Sequence, residues 1–515
     1  MSRIHDAVVV GSGFGASMAA YELVHGGLDV VMVERGDWVP RGPESWAPEG
    51  SVDLTAFYER DDPYRVRRGG NGPTVGAYRC VGGPSVFFGG VTIRFREADF
   101  AVAPEIVGDS GAAWPLRYDD LEPYYTRAER ILEVAGESGA DPTEPPRSAP
   151  FPRRLNELSE TSQRIGAAAT ALGLAPFRLP LAISYEASSG RRACVACTTC
   201  DTFACAIGAK NDLATQVLPD LLARGLDLRV RTVATRILAE AGRVRGVECV
   251  DAATGRREEL RAETVFLSAG ALASPHLLLA SGLERENPAG GLVGRHLMRH
   301  CNAIVFGVFP RQPNPRRQFH KQLAVHDLYF GHESVREPPG KLGSIQQLQT
   351  PPIGLVKHEL PRLLAPFAGP VVEHLTGLLV MAEDQPRLDN RVDVDWSQRD
   401  AFGLPQLTID HRYTRRDLRA RDALVGQAKR ILRRAGAPLS YVHRIKTFSH
   451  AVGTVRFGED PASSVLDPWC GFRGVENLYV VDASFMPTSA GLNPSLTISA
   501  NALRVGAAVA TGVRA

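Results

Sequence analysis

The side chains with the clearest chemical capacity fall in a few places. His450 stands in HAVGTVRFGED and Asn493 in SAGLNPSLTISANAL, both in turns rich in Gly, Pro or Ser near the apolar run NLYVV. A histidine can take or give a proton near neutral pH, and an asparagine amide can donate a hydrogen bond to an oxygen that gains charge. Taken singly, each has an ordinary structural reading: a packed or capping histidine, and an asparagine that starts a turn before proline. Four of the eight cysteines, Cys194, Cys197, Cys200 and Cys205, crowd into ACVACTTCDTFACAIGAK. Their C-x2-C-x2-C-x4-C spacing approaches the bacterial ferredoxin run, and thiolates so spaced can converge on one iron–sulfur cluster or one zinc. Local disulfides or buried reduced thiols are the alternative. Glu383 and Asp384, in MAEDQPRLDN, read first as a solvated acidic turn and second as a contact for a cationic or polyhydroxy substrate.

Such side chains need elements to hold them. Residues 6–36 read as a βαβ unit: AVVV is a buried strand, a glycine turn follows, then a helix, then DVVMV ending at Glu34. Within the turn GSGFGAS, Gly11, Gly13 and Ala16 have the G-x-G-x-x-G/A spacing, with Phe14 and Gly15 between them. The first glycine permits the tight turn, the second lets backbone approach a pyrophosphate, and the small third residue lets helix pack on strand. Backbone amides and the helix dipole then hold the phosphates. Glu34 lies 23 residues after Gly11, near the usual offset for a carboxylate that grips a ribose. A dinucleotide is expected, with FAD and NAD indistinguishable from this unit alone.

Residues 37–75 read as irregular surface chain, 79–90 (RCVGGPSVFFGG) as a glycine-rich loop, and 140–154 as a linker or excursion. The α/β pattern resumes near Asp212 with a helix over about 214–224. Residues 300–445 change character to alternating apolar runs and Pro-rich loops, which predicts a mixed or antiparallel sheet. Residues 413–436 read as one amphipathic helix whose charges are expected to form a solvated face, with a partner-binding patch as the lesser reading. With 515 residues, two domains are the natural expectation. A net charge of +2 gives no reason to invoke nucleic acid or an anionic membrane. No run of about 18 apolar residues and no leader pattern is found, so a cytoplasmic protein without a membrane span is expected.

Several separated segments now carry a family likeness. GSGFGASMAAYEL, GGPSVFFGG, SAGALASPHLLLASGL, VGRHLMRH and VVDASFMPTSAGLNPSLTISANALR resemble signatures of the glucose–methanol–choline (GMC) oxidoreductases, FAD-dependent enzymes that oxidise alcohols. The resemblance implies an α/β chain: a discontinuous Rossmann-like FAD-binding domain over 1–110, 190–298 and 446–515. It also implies an α+β substrate domain over 111–189 and 299–445 on a mixed or antiparallel sheet. It implies that Gly11, Gly13, Phe14, Gly15 and Ala16 hold the pyrophosphate, Glu34 the adenosine ribose, and Val233 the adenine. Gly83, Ser85 and Gly89 would run beside the flavin, Asp482 and Ala483 beside the ribityl–phosphate region, and Pro494 and Ser495 beside the pyrimidine edge. His450 matches the family's base and Asn493 the position that hydrogen-bonds the substrate oxygen. Where many relatives carry Asn or a flavin-linking His, this chain has Phe88, so FAD attachment there is non-covalent. Some dehydrogenase relatives hold a three-iron cluster in a segment comparable to Cys194–Cys205. A cluster would favour an external electron acceptor, and its absence oxygen. WPLRYDDLEPYY is similar to a segment of sugar-oxidising and aminoglycoside-related branches, which points to a polyol, glycoside or amino-sugar alcohol. A steroid or other apolar alcohol, a non-redox FAD-containing lyase, and a flavoprotein without alcohol chemistry remain as alternatives.

Overall fold

A computed structural model of the chain describes residues 3–512 apart from 69–73, 188–189, 332–339, 360–362, 364–365, 367 and 446. Ile4–Val10 is a strand, Phe14–His25 a helix, and Val30–Val33 a second strand parallel to the first. They belong to a seven-stranded sheet in the order Asp227–Arg229, Val30–Val33, Ile4–Val10, Arg257–Leu267, Arg243–Asp251, Thr232–Glu240. The seventh strand, Leu478–Val480, lies parallel to Val265–Leu267. Strand Arg257–Leu267 thus divides one edge between an antiparallel hairpin at its start and the C-terminal tail at its end. The runs AVVV and VVMV are buried throughout, as parallel strands covered on both faces must be. Helix Phe14–His25 packs against the last helix, Ser495–Thr511, where a Cβ on Gly506 would come within 2.9 Å of the Ala19 carbonyl oxygen.

The second sheet has six strands in the order Leu439–Arg444, Cys301–Val308, Leu375–Ala382, Gly343–Leu348, Leu323–Val325, Phe177–Arg178, all antiparallel. Helix Arg415–Arg434, opened by a Thr414–Asp417 capping box, covers one face. Leu424, Ala428 and Ile431 pack there with Val305, Ile345 and Val380. Alternation along Gly343–Leu348 then turns Ser344 and Gln346 toward the opposite face, which meets the C-terminal tail.

Two expectations need correction. Residues 37–75 are not all irregular: Tyr58–Arg68 and the following Thr74–Tyr78 form half of a four-stranded sheet with Pro405–Asp410 and Arg391–Arg399. The charged run hides a strand because a distant partner supplies the counter-charge: Arg67 and Arg68 meet Asp410 at 2.8 and 3.2 Å. The helix expected over 214–224 is two, Leu213–Gln216 and Leu218–Ala223, since Pro219 has no amide to continue the ladder. Among the described residues, no helix is long and apolar enough to cross a membrane.

Candidate active site

The glycine turn is built by close approach. Gly11 has φ +98°, and a Cβ there would collide with the Ser268 carbonyl. A Cβ on Gly15 would collide with the Val481 carbonyl, so this glycine seats the helix against the tail. Nothing lies within 4 Å of the Cβ position of Gly13. Gly13 is also the N-cap of helix Phe14–His25, with no side-chain cap and no acid in the first turn. Amides at a helix start next to open space suit a pyrophosphate. The buried Ser268 hydroxyl beside this turn is without a hydrogen-bond partner among the described residues. Ala16 is fully buried against the sheet.

Glu34 ends its strand buried, taking hydrogen bonds from Ser12 Oγ at 2.6 Å and the Gly36 amide at 2.9 Å. Burial raises its carboxyl above the usual range. Thr232 N donates to Glu34 O at 2.9 Å, which brings Val233 to the same end of the sheet. Ser12 Oγ in turn accepts from the Gly82 amide at 2.9 Å, tying the second glycine loop to the first. In that loop Gly83, at φ +54°, lies against Gly13. The Ser85 hydroxyl is engaged within the protein, donating to Gly82 O and accepting from Leu213 N. Phe88 meets Phe14 edge-on at 5.6 Å. A Cβ on Gly89 would come within 2.6 Å of Lys321 Nζ, which pairs with Asp201 at 2.7 Å. From the tail, Asp482 takes hydrogen bonds from Gly270 N, Ser274 Oγ and Ser484 N, stapling two turns together. Ala483 is buried beside it, Pro494 caps the last helix, and Ser495 Oγ donates to Val91 O.

His450 and Asn493 are both tied to the loop Ser489–Asn493: Asn493 ends it, and His450 reaches it through His300. Asn493 Oδ1 accepts from Gln346 Nε2 at 2.8 Å. His450 Nδ1 lies 3.1 Å from His300 Nδ1, and His300 Nε2 lies 3.0 Å from Ser489 O. Burial first, with Lys321 nearby, pushes the His450 ring down to about 3, so it is neutral at ordinary pH. The acidic pair Glu383 and Asp384 is no solvated turn. At 0% and 1% exposure both are buried scaffold. Asp384 holds the Arg299 and His300 amides at 2.8 and 3.1 Å and the Ser489 hydroxyl at 2.8 Å. Burial works against its charge, but His411 and the Arg299 amide keep its carboxyl below the usual range. Glu383 takes the Ala490 amide at 3.1 Å and pairs with buried Lys341 at 2.8 Å. Sequence reasoning gave His300, Gln346, Lys321 and Asp384 no part in positioning the site. The one trace of His300 was its place at the end of VGRHLMRH.

The cysteine segment docks on the same glycine loop, 79–90. Lys210 Nζ, buried, donates to Phe88 O, Cys200 O and Phe203 O at 2.7–2.9 Å, and Thr202 N donates to Phe87 O at 2.8 Å. Cys194, Cys197, Cys200 and Cys205 line one cavity with Ile183 and Phe319, of about 20 Å³. That is room for little more than one water. Among the described residues no group of three or more His, Cys, Asp or Glu could hold a metal ion. The iron–sulfur expectation therefore finds no support in this geometry. Burial pushes the Cys194 thiol up to about 11 and raises that of Cys200, so both keep their protons.

Comparison with known proteins agrees with the cradle and the tail. Residues 6–302 and 386–502 match the N- and C-terminal family models of the GMC oxidoreductases. The chain is 32% identical to 6'''-hydroxyparomomycin C oxidase of Streptomyces lividus, covering 100% of this chain and 92% of that one. It is 33% identical to paromamine 6'-oxidase of Streptomyces fradiae, covering 99% and 92%. Among solved structures, pyridoxine 4-oxidase from Mesorbium loti superposes with a TM-score of 0.67 over 98% of both chains at 20% identity, a likeness of fold. The chain belongs to the GMC oxidoreductase family and is an FAD-dependent alcohol oxidoreductase.

Proposed function

We propose that the enzyme oxidises an alcohol group on an amino-sugar, with His450 as base and Asn493 as hydrogen-bond donor to the reacting oxygen. FAD, when bound, supplies the hydride acceptor. The chain's own residues handle the proton and the charge. His450, neutral and partly open to solvent, takes the hydroxyl proton. Asn493, its Oδ1 engaged by Gln346, presents its amide hydrogens to the oxygen as it gains negative charge. Lys321, close enough to depress the His450 ring, adds positive potential on that side. Gly11, Gly13, Phe14, Gly15 and Ala16 would seat the pyrophosphate, Glu34 and Val233 the adenosine, and Gly83, Ser85, Gly89, Ala483, Pro494 and Ser495 the flavin half. Asp482 would act from behind, through the turns it staples.

The observation that carries the substrate class is the near full-length match to two oxidases named for paromamine and a paromomycin. The test is anaerobic flavin bleaching over a panel of amino-sugars, neutral sugars and apolar alcohols. Amino-sugars are expected to bleach it fastest. Bleaching by apolar alcohols alone would overturn the substrate class, and cleavage without bleaching would favour a lyase. Oxygen uptake during turnover then separates oxygen from an external acceptor.

A further inference from the structure

We infer that His300 fixes the ring tautomer of His450, placing the proton on Nδ1 and leaving Nε2 as the bare nitrogen that meets the substrate hydroxyl. The inference rests on His450 being the base. It follows from an acceptor that cannot change its role. The Ser489 carbonyl, 3.0 Å from His300 Nε2, can only accept, so His300 carries its proton on Nε2. A second proton on His300 Nδ1 would be donated to His450 Nδ1 and leave His450 protonated on Nε2, where it could take no further proton; with His450 as the base, His300 Nδ1 is therefore bare, and it faces His450 Nδ1 at 3.1 Å. Two bare nitrogens would repel, so the His450 nitrogen donates and its other nitrogen, Nε2, is left bare. Among the described residues no hydrogen bond engages His450 Nε2, and the ring is partly open to solvent.

The relay is over-determined on the His300 side. Its backbone amide is held by Asp384 at 3.1 Å, its carbonyl by Tyr413 OH at 2.7 Å, and Asp384 also holds the Ser489 hydroxyl at 2.8 Å. These contacts keep His300 fully buried and in the left-handed region at φ 58°, a conformation that persists only where surroundings impose it. The charged or titratable groups around the pair are Asp384, His411, Arg299 and Lys321. In the reaction the substrate O–H bond breaks toward His450 Nε2, and the Nδ1–H bond to His300 stays in place. His300 is therefore a positioning residue, acting through His450.

The test measures the tautomer directly, by nitrogen NMR of the oxidised holoenzyme labelled at histidine, with the His450→Ala spectrum identifying the His450 signals. The wild type is expected to show Nδ1 protonated and Nε2 bare. His300→Phe, which keeps a ring but no acceptor, is expected to shift His450 toward the opposite tautomer. Flavin reduction should slow roughly five- to tenfold, the population effect of one lost hydrogen bond, with FAD content unchanged. His300→Asn returns an acceptor oxygen near the Nδ1 position and is expected to recover most of the rate. A wild-type spectrum with Nε2 protonated sinks the inference even if no variant folds, as does a His300→Phe enzyme with unchanged tautomer and rate. Full activity in His450→Ala would instead remove the base reading and leave the tautomer measurement standing.

Discussion

Around His450 polar groups aim one another, whereas around Cys197 and Cys200 the cavity wall includes Ile183 and Phe319. Both regions lean on the loop 79–90: the first through Lys321 beside Gly89, the second through Lys210 on the Phe88 carbonyl. In the first, Asp384 fixes Ser489 and His300, His300 meets His450, and Gln346 orients Asn493. In the second, residue types suited to metal or redox chemistry gather round a space for little more than one water, with Cys194 and Cys200 held protonated by burial. Proximity of reactive residue types is thus common to both, and electrostatic preparation belongs to one. That difference, more than the count of reactive side chains, is what favours the His450 side as the proposed place of reaction.

The comparison can be broken at its strongest point first. His450→Ala is expected to lower the rate of anaerobic flavin reduction by about 10² to 10⁴-fold, the usual worth of a positioned base, with FAD content retained. A rate near wild type in stopped-flow would show that the polar wall is not the reacting side. The link between the regions comes next. Lys210→Met leaves buried carbonyls of Phe88, Cys200 and Phe203 short of a donor, a loss of about 2–4 kcal/mol. A lower melting temperature and faster FAD release are expected; an unchanged melting curve would mean that the two regions are not coupled there.

Acid gives a third effect, with two separable parts. The folded-state values of His296, His320 and His450 are pushed down, by burial first, to about 3, 4 and 3 from an ordinary 6.5. An unfolded chain takes up these protons below about 6.5 while the folded one resists, so stability is full above that pH and drains as pH falls toward 4. His450, the proposed base, stays neutral in the same window. Melting temperature should therefore fall between pH 7 and 4 while the rate of flavin reduction per folded molecule stays nearly flat. A rate that halves near pH 6.5 would contradict the preparation of His450. The smallest effect is expected at Cys197→Ser, a change in flavin reduction and reoxidation of no more than about twofold. A tenfold loss in either half-reaction would place the cysteine loop in the path of the electrons and erase the contrast.

What could be read in the sequence was what neighbours in the chain decide. Gly11 and Gly13 announce a turn because the strand before and the helix after them fix its geometry. His450 and Asn493 emerged from the tail's likeness to a family. Their supports were illegible because each is made by partners far apart in sequence: 105 residues between Asp384 and Ser489, 189 between His300 and Ser489, 147 between Gln346 and Asn493. Glu383 and Asp384 were misread for the same reason. An acidic pair looks solvated until the amides that neutralise it arrive from Arg299, His300 and Ala490. The cysteines differ: their spacing leaves a cluster, local disulfides and buried thiols all open, because spacing does not reveal how much room the folded loop leaves around the thiols.

The division of strand Arg257–Leu267 between an early hairpin and the late strand Leu478–Val480 sets a timetable for biosynthesis. On the ribosome Val265–Leu267 can pair at once with Ile4–Val10, but their other edge stays bare until Leu478 has been made. At usual translation speeds that interval is roughly ten to forty seconds. For that time the nascent chain carries an open, strongly apolar strand edge, the kind that invites pairing with another chain. The tail that carries Asn493 is also what ends this exposure, so completion of the proposed catalytic centre and protection of the growing chain arrive in the same event.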